Sequence, residues 1–338
     1  MNGTPEREPL AADGPEARGG VARADAIDLG RYVAPGSAGL AYLDPPFSVG
    51  ARFGARTRAR EHRARGPVAY DDRWPSLEAY LAWLEPRLRA VRTALSPRAT
   101  MWLHLDHRAV HEAKVLCDAV FSAAAFVGEV IWVPGNGAKG RSGLGMSHQT
   151  ILVYAAGEDY VWRGRDPVLR APFAATSLAM HFTNKSADGR LFRERTIRGR
   201  TYRYFADEGR AIGSVWTDCP AMVANTPLRR ETTGYPTQKP LKLLDRIVRA
   251  ASEPSALVLD PFCGSGTTLE AAGRAGRRFF GCDVGELAVA TVVARLGTAG
   301  IAFDLCPAID ALEGEESARA TRSGTSDTAT RARTSVVR

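Results

Sequence analysis

The chain has 338 residues, 45% of them hydrophobic and 24% charged, with a formal net charge of +8 and a pI near 9.5. This is a globular composition with room for one large or two ordinary domains, and no run approaches the roughly 18 to 20 consecutive apolar residues of a membrane span. The basic surplus makes polyanions fitting partners. Five scattered cysteines, never spaced CxxC, argue against a disulfide framework and a zinc knuckle.

In chain order, residues 1–37 are rich in Pro, Gly, Ala and charge and are expected to be disordered. The start lacks a basic stretch followed by an apolar core, so no secretory signal is expected and the cytoplasm is the expected compartment. "GLAYLD" predicts a buried strand, which stops at Asp44-Pro45-Pro46-Phe47. Two successive prolines remove two backbone donors and fix two φ angles, bracing one carboxylate and one ring. Alone, the stretch also reads as a rigid turn. Residues 51–65 follow with six arginines against one acid, Glu61. They suit a solvated loop or a grip on phosphate through Arg52, Arg56, Arg58 and Arg60.

"SLEAYLAWLEPRLRAVRTAL" spaces Leu77, Tyr80, Leu81, Leu84, Leu88 and Val91 as one helical face after an N-cap at Ser76. Pro86 is expected to kink or divide that helix. "ATMWLHL" predicts a strand, "HRAVHEAKVLCDAVF" a helix, and "GEVIWV" and "QTILVYA" strands. His104, His107 and His111 are close in sequence, but only the last two share a helix face, which favours structural roles over a metal site. The Gly-rich stretch 134–149 carries Lys139 and Arg141 and suits a linker or a loop that embraces DNA. After Ala156 the pattern lapses into an irregular insert over 157–235. It resumes with "PLKLLDRIVRAAS" (helix), "ALVLD" (strand), "TTLEAAGRAG" (helix), "RRFFGCD" (strand) and "GELAVATVVARLG" (helix). Residues 311–338 read as a disordered tail. Strands alternating with helices imply an α/β fold with a doubly wound, mostly parallel sheet, its first half at 38–156 and its second at 236–310.

"ALVLDPFCGSGTTLEAA" is the strongest local signal. A buried strand runs into a turn with Gly264 and Gly266, and a helix begins near Thr267. Glycines allow close backbone approach to a ligand, and the helix start offers free N–H groups. The next strand ends in Asp283, placed to accept from two ribose hydroxyls or to cap the following helix. These pieces fit an adenosine cofactor without a long phosphate chain.

The line "DPFCGSGTTLEAAGRAGRRFFGCD" resembles the S-adenosylmethionine-binding half of the amino-group DNA methyltransferases. "GYPTQKPLKLLDRIVRAAS" resembles the segment before it in the permuted beta class, and Asp44-Pro45-Pro46-Phe47 resembles the family's catalytic motif. All three stand in the beta-class order, over about residues 38–300. The resemblance implies a Rossmann-like methyltransferase sheet with S-adenosyl-L-methionine as cofactor. It implies a target-recognition insert at 157–235 and double-stranded DNA as partner, in a prokaryotic nucleoid. A homodimer and a companion restriction endonuclease are left open.

By the same resemblance, Asp44, Pro45, Pro46 and Phe47 are catalytic: Asp44 and the Pro45 carbonyl accept from the target amine, and Phe47 stacks on a flipped-out base. Thr237, Gln238, Lys239 and Pro240 wrap the methionine end of the cofactor. Asp260, Phe262, Cys263, Gly264, Ser265, Gly266 and Thr267 line its loop, and Asp283 takes the ribose. No metal is needed, and phenylalanine stands where cytosine C5 chemistry would require a cysteine. Asp at the first motif position favours adenine N6 over cytosine N4. An RNA or protein substrate, or a non-catalytic DNA-binding relic, are the remaining alternatives.

Overall fold

The computed structural model describes residues 19–56, 65–135, 143–222 and 231–308. In chain order its elements begin with β1 (Gly19–Arg23), β2 (Ala38–Leu43), β3 (Ala51–Arg56), β4 (Arg65–Asp72), α1 (Leu77–Ala94), β5 (Leu95–Leu105), α2 (Val110–Phe121), β6 (Phe126–Trp132) and β7 (Gln149–Ala155). The insert adds β8 (Arg170–Ala171), α3 (Ala175–His181), β9 (Asn184–Lys185), β10 (Leu191–Ile197), β11 (Arg200–Phe205), β12 (Arg210–Ala211) and β13 (Val215–Trp216). The last part carries α4 (Leu241–Ala251), β14 (Leu257–Asp260), α5 (Thr267–Arg274), β15 (Arg278–Asp283), α6 (Glu286–Ala299) and β16 (Asp304–Cys306).

Strand β2 shows how the sheet is built. Ala41 and Leu43 join one core cluster with Leu84, Leu88 and Val91 of α1 and Cys117 and Val120 of α2. Leu40 and Tyr42 join the other with Leu243 and Ile247 of α4, Leu269 of α5 and Val292 of α6. Such a strand is apolar on both faces because helices cover both. The sheet order is β13-β6-β7-β5-β2-β14-β15-β1-β16, and only β7 runs antiparallel to its neighbours. The α/β, doubly wound, mostly parallel sheet of the Rossmann-like methyltransferase type follows. Strands β2 and β14 pair directly although more than 200 residues separate them. This is the switch point of the winding, and ligands bind beyond the carboxyl ends of strands there.

Three expectations need correction. Residues 19–37, expected to be disordered, begin with β1, which pairs in parallel with β15 and β16. A Cβ at Gly19 would lie 2.2 Å from the Phe279 ring, so this strand packs through small residues and does not show in an apolar count. Helix α1 passes Pro86 without a break, because its buried face of Tyr80, Leu84, Leu88 and Val91 outweighs one missing rung of the ladder. The insert is not wholly irregular: β9, β10 and β11 form an antiparallel sheet whose faces are largely exposed, which removes the apolar alternation that marks a strand. The tail at 311–338 lies outside the described residues. Among the described residues, no helix is long and apolar enough to cross a membrane.

Candidate active site

The turns that follow β2 and β14 line one cleft. Every catalytic and cofactor residue named from the sequence lines it except Pro240 and Gly266, which instead cap the starts of α4 and α5.

Asp44 is the cleft's focal charge. Both of its oxygens accept from Lys239 Nζ, at 2.7 and 2.6 Å, and the two side chains are only 19% and 8% exposed. Burial raises the Asp44 carboxyl above its ordinary value, and Lys239 opposes that rise. The same ammonium lies 4.9 Å from the centre of the Phe47 ring. Lys239, grouped by resemblance with the residues that wrap the cofactor, thus points at the catalytic motif. Behind Phe47, at 5.8 Å between rings, His104 is fully buried with Nδ1 2.7 Å from the Tyr42 hydroxyl. Burial holds the imidazole neutral, so this bond carries a single proton, on Tyr42 or on Nδ1. His107 and His111 are exposed.

Asp72, at the end of β4, holds the chain that leaves Phe47. Buried to 1% exposure, it accepts from the amides of Phe47, Ser48 and Val49, at 3.0, 2.8 and 3.0 Å, and from Trp74 Nε1. From the same strand the Tyr70 hydroxyl meets Thr237 Oγ1 at 3.1 Å. Gln238 turns into its own loop, accepting from Thr233 N and donating to Glu231 O.

On the other wall, Gly264 and Gly266 hold φ of +46° and +75°, and a Cβ at Gly264 would meet the Tyr235 ring at 3.2 Å. Asp283 Oδ2 accepts from the Gly264 amide at 3.0 Å and Oδ1 from Gly285 at 2.8 Å. Asp260, 3% exposed, accepts from Phe262 N, and burial pushes its carboxyl up to about 7. Ser265 and Thr267 share a hydroxyl contact at 3.1 Å, and Thr267 Oγ1 donates to the Lys239 carbonyl, tying the glycine loop to the Lys239 segment. Cys263 is buried, and that burial lifts its thiol well above its ordinary value, so it is no nucleophile at neutral pH.

Tyr70, Asp72 and Tyr235 line the cleft without a sequence signal that singles them out, and Asp25, on the segment expected to be disordered, lines it as well. Asp25 caps a short 3-10 helix at Ile27 N and pairs with Arg87 of α1. Of the arginines assigned to phosphate, Arg52 is 60% exposed and pairs with Asp71 at 3.0 Å, and Arg56 ends β3. Arg58, Arg60, Lys139 and Arg141 lie outside the described residues.

A mostly parallel sheet with a Gly-loop cleft beside Asp-Pro-Pro-Phe is the arrangement of the amino-group methyltransferases. Residues 38–294 match the N6/N4 group of DNA methylases, and the chain belongs to that family. It is 28% identical over 318 residues to the Type II methyltransferase M.EcaI of Enterobacter cloacae, covering 80% of this chain and 67% of that one. It is 23% identical over 281 residues to the DNA adenine methyltransferase YhdJ of Escherichia coli K12, covering 82% and 83%. Among solved structures, the fold is similar to the cytosine-N4-specific PvuII DNA methyltransferase, at 14% identity and a TM-score of 0.51, covering 83% and 89%. It is also similar to a DNA modification methylase structure from Thermus thermophilus complexed with S-adenosyl-L-methionine, at 19% identity and a TM-score of 0.50, covering 84% and 96%.

Proposed function

We propose that the protein methylates N6 of adenine in double-stranded DNA, with S-adenosyl-L-methionine as its cofactor. The observation that carries this reading is the meeting, in one cleft, of the Asp44 carboxylate with the glycine loop that ends on Asp283. The residues fit the cofactor. Each Asp283 oxygen keeps a lone pair for a ribose hydroxyl after accepting a backbone amide. Asp44, Asp260 and Asp283 outnumber Lys239 and favour a cationic sulfonium. When bound, the cofactor supplies an electrophilic methyl group.

The exocyclic amine of adenine is a poor nucleophile because its lone pair is delocalised into the ring. Asp44 gives up one of its two bonds to Lys239 and accepts from the amine, stabilising the positive charge that develops on nitrogen. The second oxygen stays on Lys239, which keeps the carboxylate ionised. Phe47, braced by Pro45, Pro46 and the Asp72 bonds, stacks on the extruded base. Residues 157–235 serve as the target-recognition region. Asp at the first motif position and the adenine relative YhdJ support N6 over cytosine N4.

Purified protein with labelled S-adenosyl-L-methionine and unmethylated duplex DNA is expected to yield labelled N6-methyladenine. Label in N4-methylcytosine would move the base assignment, and label only in RNA or protein would sink the DNA reading. Asp44→Ala is expected to abolish transfer while cofactor binding survives; loss of both would recast Asp44 as a pocket residue.

A further inference from the structure

Strands β10 and β11 form a ribbon closed by the two-residue turn Arg198-Gly199. Both turn residues are left-handed, with φ of +49° and +75°. Two-residue turns of this hand favour Asn, Asp or Gly at the first position, and arginine there carries a backbone penalty that asparagine would lessen. Strain that the fold does not require points to a role for the side chain.

The pairing register sorts the ribbon into two unlike faces. Phe192 opposite Phe205, Glu194 opposite Arg203 and Thr196 opposite Thr201 make one face, with Glu194 and Arg203 bonded at 2.9 Å. Arg193 opposite Tyr204, Arg195 opposite Tyr202 and Ile197 opposite Arg200 make the other, which carries no acid. At the ribbon's root the cations are engaged: Arg190 pairs with Asp207 and Glu208, and Arg193 lies over Phe173, Phe182 and Tyr204. Towards the tip they are not. Arg195, Arg198 and Arg200 are exposed and make no ion pair among the described residues, and Arg200 only stacks over Tyr202.

We infer that this ribbon enters the major groove of the DNA duplex, with Arg195 and Arg200 on phosphates and Arg198 at the base edges. A two-stranded ribbon fits that groove, and a guanidinium matches the paired acceptors of guanine. The inference rests on the DNA reading above and deepens it, because it places sequence discrimination in one turn of the insert.

The test uses the full chain and three variants, Arg195→Gln, Arg200→Gln and Arg198→Asn, the last favourable to the turn. Duplex binding is measured against salt, and methyl transfer is measured over a library of duplex sequences. Either glutamine variant is expected to weaken binding to every duplex and to lower the salt slope by about one. Arg198→Asn is expected to melt no lower than the parent, yet to lose about tenfold or more in transfer at preferred sites and to accept changes at one base pair. Unchanged affinity and site preference in all three variants would overturn the inference while leaving the methyltransferase reading intact. Variants that lose single-stranded RNA binding but keep duplex binding would overturn it too. If the parent transfers no methyl group to DNA but the duplex-binding losses appear, the ribbon stands and the catalytic reading fails.

Discussion

Lys239→Met tests what sets the charge of the catalytic acid. Methionine keeps the apolar stem of the side chain as far as Cε and removes the ammonium that contacts both Asp44 oxygens. Opposite charges about 4 Å apart at an effective dielectric near 20 interact by about 4 kcal/mol. Asp44 is 19% exposed, so solvent screens part of that. Burial already raises the Asp44 carboxyl and Lys239 is what opposes it, so the variant's acid becomes harder to ionise. The acid limb of the kcat–pH profile is expected to move to higher pH. At pH 7, kcat is expected to fall and to recover on going to alkaline pH, while KM for S-adenosyl-L-methionine changes by less than about threefold. A tenfold or larger rise in that KM with the limb unmoved would refute the reasoning, and would return Lys239 to the cofactor-wrapping role that the motif resemblance implies.

Asp72→Asn leaves one acceptor oxygen for three amides and an indole N–H. Each orphaned buried donor costs about 1–3 kcal/mol, so a loss of about 2–4 kcal/mol in stability is expected, together with a lower kcat as Phe47 loses its support. A denaturant titration that shows no loss would contradict the bonding described. Asp260 supplies a pH signature: its folded carboxyl is raised to about 7 by burial, so between about pH 4 and 7 the folded state binds the proton more tightly than the unfolded chain. Stability of the ligand-free protein therefore falls as pH rises through that window, by up to about 4 kcal/mol. Asp260→Asn is expected to match the parent below about pH 4 and to exceed it above about pH 7. Melting curves whose difference stays flat from pH 5 to 8 would remove burial as the cause.

The central elements were legible because their signals are local. The strand before Asp44, the glycine turn and the helices around Leu84 and Ile247 each bury a periodic or continuous apolar face, which is a property of the sequence window alone. What escaped depends on distant partners. Strand β1 holds no large side chain, and its stability comes from edges offered by β15 and β16, 260 and 284 residues away. The target of the Lys239 side chain was hidden for the same reason, since 195 positions separate it from Asp44. In the ribbon of the insert, exposure on both faces removes the alternation, and only the Arg-Gly turn remains as a mark.

The hairpin β3–β4 ties these observations together. The two prolines after Asp44 set φ but donate nothing, so order beyond them must come from elsewhere. Ser48, just past the motif, sits at φ +59°, and Thr237, on the other side of the cleft, at φ +57°. Left-handed backbone at a non-glycine residue is strained by about 1–3 kcal/mol and persists where neighbours over-determine it. Both neighbours come from β4: Asp72 accepts the Ser48 amide and Tyr70 meets the Thr237 hydroxyl. One strand therefore clamps the catalytic turn and the Lys239 segment against each other, which is why Lys239 reaches Asp44 at all. Arg52 and Arg56 of β3 and Arg65 of β4 belong to the same hairpin, and Arg52 pairs with Asp71 of β4.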